Sequence, residues 1–561
     1  MQGKSKSLCC SKYHEEEEEI DRISRLPDNL IHEILSFNHM KLAVQTCVLS
    51  KRWKNIWMSL PYITLALNSF LEDERYNPRD TMDRFVGFVD NVLEFRDDDS
   101  DIQNFNLGSV ICDYASVETH NRWIIASVNR NVRNLAIVVA YSLNSPYQFP
   151  QQLLNCKTLK SMAIILGGRQ FGDRCAHVIL PRSMSLPQIE VLSLYGISIS
   201  NVDLQRVFSS CPLMKKVTIQ ESDIQTDNQR NVIIEFHSLE AFKLIDNRHT
   251  HLGSSDHSLT YTTKISAPNV KSFTFAGSMT EDLSLENLSS LVDAHLDLRL
   301  RKEEADEIAE TYFELPAEEM FAKRTMKFLR AVQKVQHLIL SSGFLEVLLQ
   351  ASGALYHQPP QLCNLETLQL EIRFTRGCLR SIAYLLKISP VIMTLILVSE
   401  EANLPDVGND WDAGLSSTCM FSHLKFVEIS EVEGCDNELK FLRVSEDHFQ
   451  YLNSGLIRVA KSNFGVASDP IAAEAKSMVE YLGSKPPAYR SSFCQRVAYC
   501  NGFAYVKPVT QFAGIKGLIT VTTTSTGGQY LCDGFGFDSK VIVIFTTTAS
   551  TIAKIATSNS Q

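Results

Sequence analysis

The sequence predicts an α/β chain: a small N-terminal helical module, then an irregular solenoid of strand-bearing repeats, then an unassigned C-terminal extension. Three observations lead there. At 561 residues the chain exceeds what one compact core holds, so several domains or a repeat array are expected. Short apolar stripes at helical spacing crowd the first sixty residues. Further on, one apolar spacing returns eleven times. The hydrophobic fraction of 44% and charged fraction of 21% are those of an ordinary soluble protein. A formal net charge of -10 gives no electrostatic basis for nucleic acid as the main partner, because phosphate binding needs a basic surface.

The acidic run Glu15–Glu19 reads as a solvated tail, with residues 1–20 expected to be disordered. Order is expected from Asp21. Pro27 suits the first turn of a helix, where its missing N–H is not needed. Leu30, Ile31, Ile34 and Leu35 then recur at helical spacing. A second helical stretch carries Ala43, Val44, Cys47 and Val48. A third carries Trp53, Ile56 and Trp57, with Lys51, Arg52 and Lys54 on the other side. Three such helices bury little surface by themselves. The pattern alone leaves two readings open: a partner helix covers part of the apolar surface, or the bundle packs only on its own downstream domain.

The string Ile23-Ser24, Leu26-Pro27-Asp28, Ile34-Leu35-Ser36-Phe37, Val48 through Lys54, and Ile56-Trp57 closely resembles the plant F-box. The resemblance spans Asp21–Leu60 with its spacing intact, and the module is bounded at 21–65. It implies binding to the Skp-type adaptor of an SCF ubiquitin ligase and, through it, to a cullin. It also implies that Leu26, Pro27, Leu30, Ile31, Ile34, Leu35, Val48, Leu49, Ser50 and Trp53 make the adaptor-binding segment, while Trp53 and Trp57 lock the third helix. One departure stands between the first two helices. Asn38 and His39 replace an apolar pair common in relatives, which predicts a looser loop without displaced helices. The KRWK run at 51–54 is too short for a nucleic-acid contact, and its Trp is more economically a core residue.

Between residues 132 and 429 the spacing apolar, two residues, apolar, one residue, apolar recurs, from Val132-Leu135-Ile137 to Leu424-Val427-Ile429. Successive starts are 27, 30, 25, 25, 31, 21, 44, 30, 27 and 32 residues apart, near a leucine-rich-repeat period with insertions. Side chains alternate faces along a strand, so the last two apolar positions of each unit point into the solenoid core. The residue between them points onto the concave face. Ser193, Thr218, Lys243, Thr274, His295 and Gln369 hold that position and are the candidate substrate-binding residues. LPQIEVLSLYGISI, VFSSCPLMKKVTIQ and SAPNVKSFTFAG resemble units of plant F-box repeat proteins, with Cys211 of the Cys-Pro pair a buried repeat residue. The widest gap holds RKEEADEIAE and MFAKRTMKFLRAV, expected to be inserted helices. The solenoid is bounded at 131–413, with 66–130 a linker and first solenoid elements.

From Cys419, CMFSHLKFVEISEVEGCDNELKFL resembles the start of the FBD region of such proteins, giving a partial FBD-like region at 414–442. After Leu442 the sequence departs with RVSEDHFQYLNSG, which puts the C-terminal cap of the solenoid in doubt. Residues 443–561 are unassigned. A helix is expected from Asp469-Pro470 to Gly483. LITVTTTST and VIVIFTTTAST have strand composition. A poorly ordered extension, a segment joined by an altered splice or frame, and a small β-rich binding module all fit this composition.

The sequence offers no chemistry of its own. P-loop, GxSxG and HExxH motifs are absent. His249, His251 and His257 read as a polar loop, Cys494 and Cys500 are too widely spaced for a zinc knuckle, and no metal or other cofactor is expected. Glu303, Glu304, Asp306, Glu307 and Glu310 read as a solvated helix face. Fourteen cysteines spread from Cys9 to Cys532 without a regular framework suit a reducing compartment. MQGKSKSLCC lacks a signal-peptide core, and no apolar run is long enough to cross a membrane. An intracellular protein, nuclear or cytoplasmic, with no membrane partner is expected. The resemblance implies a non-catalytic substrate-recognition subunit acting on an unknown target protein. A scaffold outside any ligase, an altered family member with impaired substrate binding, and an enzyme whose site lies in the tail are the rival readings.

Overall fold

The computed structural model describes residues 25–70, 78–109, 117–139, 146–167, 175–226, 231–236, 238–245, 248–251, 262–278, 282–299, 315–350, 360–373, 376–400, 424–432 and 456–461. Helix α1, Asp28–Ser36, opens on Pro27, which stands at the N-cap with extended backbone. The Pro27 carbonyl accepts from the Leu30 and Ile31 N–H groups at 3.0 and 3.2 Å. Helix α2, Met40–Gln45, is capped by His39, whose Nδ1 accepts from the Leu42 N–H at 3.4 Å. The Asn38-His39 departure is therefore absorbed as a helix start, where a side-chain acceptor serves an otherwise orphaned donor. Beyond α2 the chain tightens into a 3-10 turn, Thr46–Val48. Helix α3 is the single turn Trp53–Ile56, continued by a 3-10 turn, Trp57–Ser59.

One parallel sheet of 14 strands, in chain order, follows. Its strands are Tyr62–Ala66, Asn104–Ser109, Asn134–Val139, Ser161–Ile165, Val191–Tyr195, Lys216–Gln220 and Ala241–Ile245. Ser272–Ser278, Asp293–Arg299, His337–Leu340, Thr367–Ile372, Thr394–Ser399, Phe426–Val432 and Leu456–Lys461 complete it. The eleven apolar returns supply the third to thirteenth strands, and every apolar position in them is buried. Two further repeats precede them. Leu60-Ile63-Leu65 and Ile102-Phe105-Leu107 carry the same spacing and are equally buried, so the strands Tyr62–Ala66 and Asn104–Ser109 continue the repeat pattern through the segment expected to hold a linker and the first solenoid elements. A strand also follows the RVSEDHFQYLNSG departure, pairing Leu456–Lys461 with Phe426–Val432.

In-register pairing turns the buried positions into two continuous rows, one through Phe105, Leu135, Met162 and Leu192, the other through Leu107, Ile137, Ile164 and Leu194. The return segments close the other side of this core. Helices α4, Pro78–Glu94, and α5, Val117–Asn129, do so in the first repeats. In the middle, short strands form a five-stranded and a three-stranded sheet, with Ile197, Ile199, Ile224, Val232, Ile234 and Ile265 facing the core. Helices return at Leu315–Ala331, Ser342–Gln350 and Arg376–Lys387. The first of these covers the MFAKRTMKFLRAV segment; RKEEADEIAE lies outside the described residues. Gly196 shows how tightly the units stack: its φ is 64°, and a Cβ there would run into the backbone of Gly167 in the preceding repeat.

The helical module is joined to this core. Ile31, Leu35, Met40, Ala43, Trp53, Ile56 and Leu60 belong to the same buried cluster as Ile63 and Leu65 of the first strand. Lys41 Nζ donates to the Ser69 carbonyl at 2.7 Å and lies 4.7 Å from the centre of the Phe70 ring. Phe70, Phe85 and Trp123 meet edge to face at 5.6 and 5.9 Å, tying α4 and α5 to the same corner. Arg96, 4% exposed, donates to the Leu60 carbonyl at 2.7 Å and the Asp101 carbonyl at 3.2 Å. Burial, reinforced by nearby Arg130, pushes the Arg96 pKa down to about 10, which still leaves it charged at neutral pH.

Two outcomes follow for stability and reactivity. Arg96→Leu removes charge-assisted bonds to buried carbonyls and should lower unfolding free energy by about 2–3 kcal/mol in a denaturant titration. Burial pushes the Cys211 thiol up to about 12, whereas Cys363 is exposed. In the folded protein at pH 8, an alkylating reagent read by peptide mass spectrometry should label Cys363 and spare Cys211.

Candidate interaction surfaces

Two surfaces carry the residues that the sequence singles out. The first is the outer side of the helical module. Along α1, Leu30, Ile34 and Phe37 stand on one stripe at helical spacing and are 44, 47 and 55% exposed. In the segment after α2, Val48 and Leu49 are 82 and 54% exposed. Five of the eleven large apolar side chains exposed among the described residues thus fall between Leu30 and Leu49. Single exposed apolar residues are ordinary, but a cluster of this kind marks an interaction site.

The other stripe of α1 points inward. Ile31, Leu35 and Trp53, which the resemblance also places in the adaptor-binding segment, are buried at 0, 3 and 4% exposure. They hold the module together and seat it on the first strand. Leu26 and Ser50 are half-buried and Pro27 is exposed. Trp57 is half-buried, with Nε1 donating to the Lys54 carbonyl at 3.1 Å. Phe37 was missed by the sequence reading, although its place one turn beyond Ile34 on the Leu30 stripe was a usable signal.

The second surface is the open face of the large sheet. Register places the residue between the two buried positions of each strand in a single row: Thr64, Asn106, Ala136, Ala163, Ser193, Thr218, Lys243, Thr274, His295, Ile339, Gln369, Ile396 and Glu428. All six candidate substrate-binding residues lie in it, with Lys243 exposed and the other five half-buried. At about 4.8 Å per strand the described row is roughly 58 Å long. Polar side chains bridge neighbouring strands on this face. Asn106 Nδ2 donates to Thr64 Oγ1 at 3.3 Å, and Asn134 Nδ2 to Asn104 Oδ1 at 2.7 Å. The His337 ring Nδ1 meets Asp293 Oδ1 at 2.7 Å. Burial, reinforced by Lys243, pushes the His295 pKa below its ordinary value against the pull of Asp297. Its Nε2 is buried with no hydrogen-bond partner among the described residues.

Among the described residues no group of three His, Cys, Asp or Glu side chains is placed to hold a metal ion, and no helix is long and apolar enough to cross a membrane. His249 and His251 fall in the strand Arg248–His251, whose side chains are not described. The acidic tail 1–20, His257, the acidic cluster from Glu303 to Glu310, and the helix expected from Asp469 lie outside the described residues. So do Cys494, Cys500 and both strand-like segments of the extension; of the FBD-like region, 424–432 are described.

Family comparisons match the same two parts. The F-box domain family matches residues 23–64, and the family described as "FBD-associated F-box protein At5g56370, LRR repeats" matches residues 120–280. Relatives in Arabidopsis thaliana include the putative F-box/FBD/LRR-repeat protein At5g44950, 28% identical over 73% of this chain and 86% of its own. The F-box/FBD/LRR-repeat protein At2g26030 is 25% identical over 82% of this chain and 97% of its own. The FBD-associated F-box protein At4g10400 is 30% identical over 42% of this chain and 58% of its own. The chain thus carries an F-box domain followed by leucine-rich repeats of the FBD-associated F-box type, and its relatives are plant F-box/FBD/LRR-repeat proteins.

Proposed function

We propose that the chain is the substrate-recognition subunit of an SCF-type ubiquitin ligase. The F-box binds a Skp-type adaptor and, through it, a cullin. The open face of the repeats binds the target protein. The observation that supports this reading is the outer apolar patch of Leu30, Ile34, Phe37, Val48 and Leu49, exposed among the described residues on a helical module whose other stripe is buried. An amphipathic partner helix laid across such a patch buries it and gains the transfer free energy of each side chain. In this reading the chain supplies no bond-forming group. It holds the target near the ubiquitin-loaded enzyme, and ligation is accelerated by proximity.

The test uses the full-length chain, because the F-box shares its core with the first repeat. Val48→Asp with Leu49→Asp should weaken binding of purified Skp-type adaptor by about 100-fold, read by calorimetry, with an unchanged melting temperature. Leu35→Asp, by contrast, should lower the melting temperature, since that residue is 3% exposed. Absence of adaptor binding by the folded wild-type chain would sink the assignment.

A further inference from the structure

We infer that the open face holds a recognition site for a single anionic side chain of the target, a carboxylate or a phosphate, at Lys216 and Lys243. This rests on the reading that the open face takes the target, and adds the charge that the target must carry there.

The face presents three rows of side chains, one on each alternate position of the strands. On the first five strands all of these positions are uncharged, from Tyr62, Thr64 and Ala66 on the first to Val191, Ser193 and Tyr195 on the fifth. Charge enters the rows on the sixth and seventh strands, as Lys216 and Lys243, both exposed. Lys216 is the register partner of Ala241, two residues before Lys243. Their Cα atoms therefore stand about 8 Å apart, a span that one anionic group can bridge with two flexible ammonium side chains.

Two neighbouring lysines of these repeats are ion-paired. Lys215 Nζ lies 2.7 Å from Glu190 Oε2, and Lys271 Nζ lies 3.3 Å from Glu240 Oε2. Lys216 and Lys243 have no ion-pair or hydrogen-bond partner among the described residues. Around Lys243 the donors converge. Thr218 and Thr274 are its register partners on either side. Two strands from Lys243, the half-buried His295 ring lies between the opposing pulls of Asp297 and Lys243, and its Nε2 has no hydrogen-bond partner among the described residues. Two ammonium groups without a carboxylate partner among the described residues and two hydroxyls form an anion site, in which charge-assisted bonds are stronger than neutral ones.

The site is also narrow. Asp293 and Asp297 stand on the ninth strand, and Glu371 and Glu428 share the face beyond it. A run of acidic residues or a nucleic-acid strand would meet these carboxylates, whereas one anion followed toward the F-box by uncharged residues would not.

The experiment incubates the full-length chain with dodecapeptide libraries, randomised over uncharged residues around one fixed centre. That centre is Thr, phosphothreonine, Asp or Lys. Bound peptides are sequenced by mass spectrometry and the best are titrated by fluorescence polarisation. The anionic centres should bind about tenfold tighter than Thr, and Lys weaker. Lys216→Gln with Lys243→Gln should erase that preference and leave Thr-centred peptides unaffected, while Lys334→Gln, on an exposed lysine off this face, should change neither. Preference for phosphothreonine alone identifies a phosphorylated target, and equal preference for Asp identifies a carboxylate. Bound peptides that show no anion preference, or keep it in the double lysine variant, overturn the inference. So does tighter binding of a fully acidic peptide or a short RNA. Ser193→Arg separates the two levels: it should abolish binding of every peptide, and peptides indifferent to it would contradict the reading of the open face itself.

Discussion

The described fold starts from the first edge of a parallel sheet that is covered on one face. A strand at the end of such a sheet exposes unpaired backbone groups and half of its buried row. Tyr62–Ala66 is that strand here, and the F-box helices pack over it with Ile31, Leu35, Met40, Ala43 and Trp53. The helical module therefore serves as the N-terminal cap that a repeat array requires. The module is too small to bury its inner stripe by itself, and that stripe shares one buried cluster with Ile63 and Leu65 of the first strand. Arg96 fastens the seam by bonding the last residue of the module to the turn before the second strand.

Helix α1 shows how one short element serves two purposes. Its inner stripe, Ile31 and Leu35, is fixed in the shared core. Its outer stripe, Leu30, Ile34 and Phe37, is left in water. A partner seated on the outer stripe is then held by a side chain's breadth from the core that supports the repeats. On the proposed function this matters mechanically, because a target bound on the open face keeps a fixed orientation relative to the adaptor. Catalysis by proximity gains from such a rigid joint, whereas a flexible linker would dilute the target over a large volume.

The repeat architecture was legible because one rule, an apolar pair around a single outward residue, is imposed on every strand by the same two buried rows. Ser193, Thr218, Lys243, Thr274, His295 and Gln369 could be assigned to a common face for that reason, and register joins them in a row. The first solenoid elements were expected in 66–130 without their triplets being picked out, because the long helices α4 and α5 separate the strands and Ile63-Leu65 and Phe105-Leu107 look isolated in the sequence. Inside and outside on the F-box were not legible. Leu30 and Ile31 are adjacent apolar residues about 100° apart on the helix, and nothing in the pattern says which of them meets the first strand. Alternation places Lys216 and not Lys215 on the open face, but it cannot tell that Lys215 has a carboxylate beside it while Lys216 has none among the described residues.

The central claim is that F-box and first repeats are one cooperative unit, and native-state hydrogen exchange read by mass spectrometry tests it most directly. On this account the amides of α1 and α2 open with the same free energy as those of Tyr62–Ala66 and Asn104–Ser109, and Arg96→Leu lowers all of them together. Exchange of the α1 and α2 amides at the rate of an unfolded chain, while the strands stay protected, would contradict it and return the F-box to a loosely tethered module.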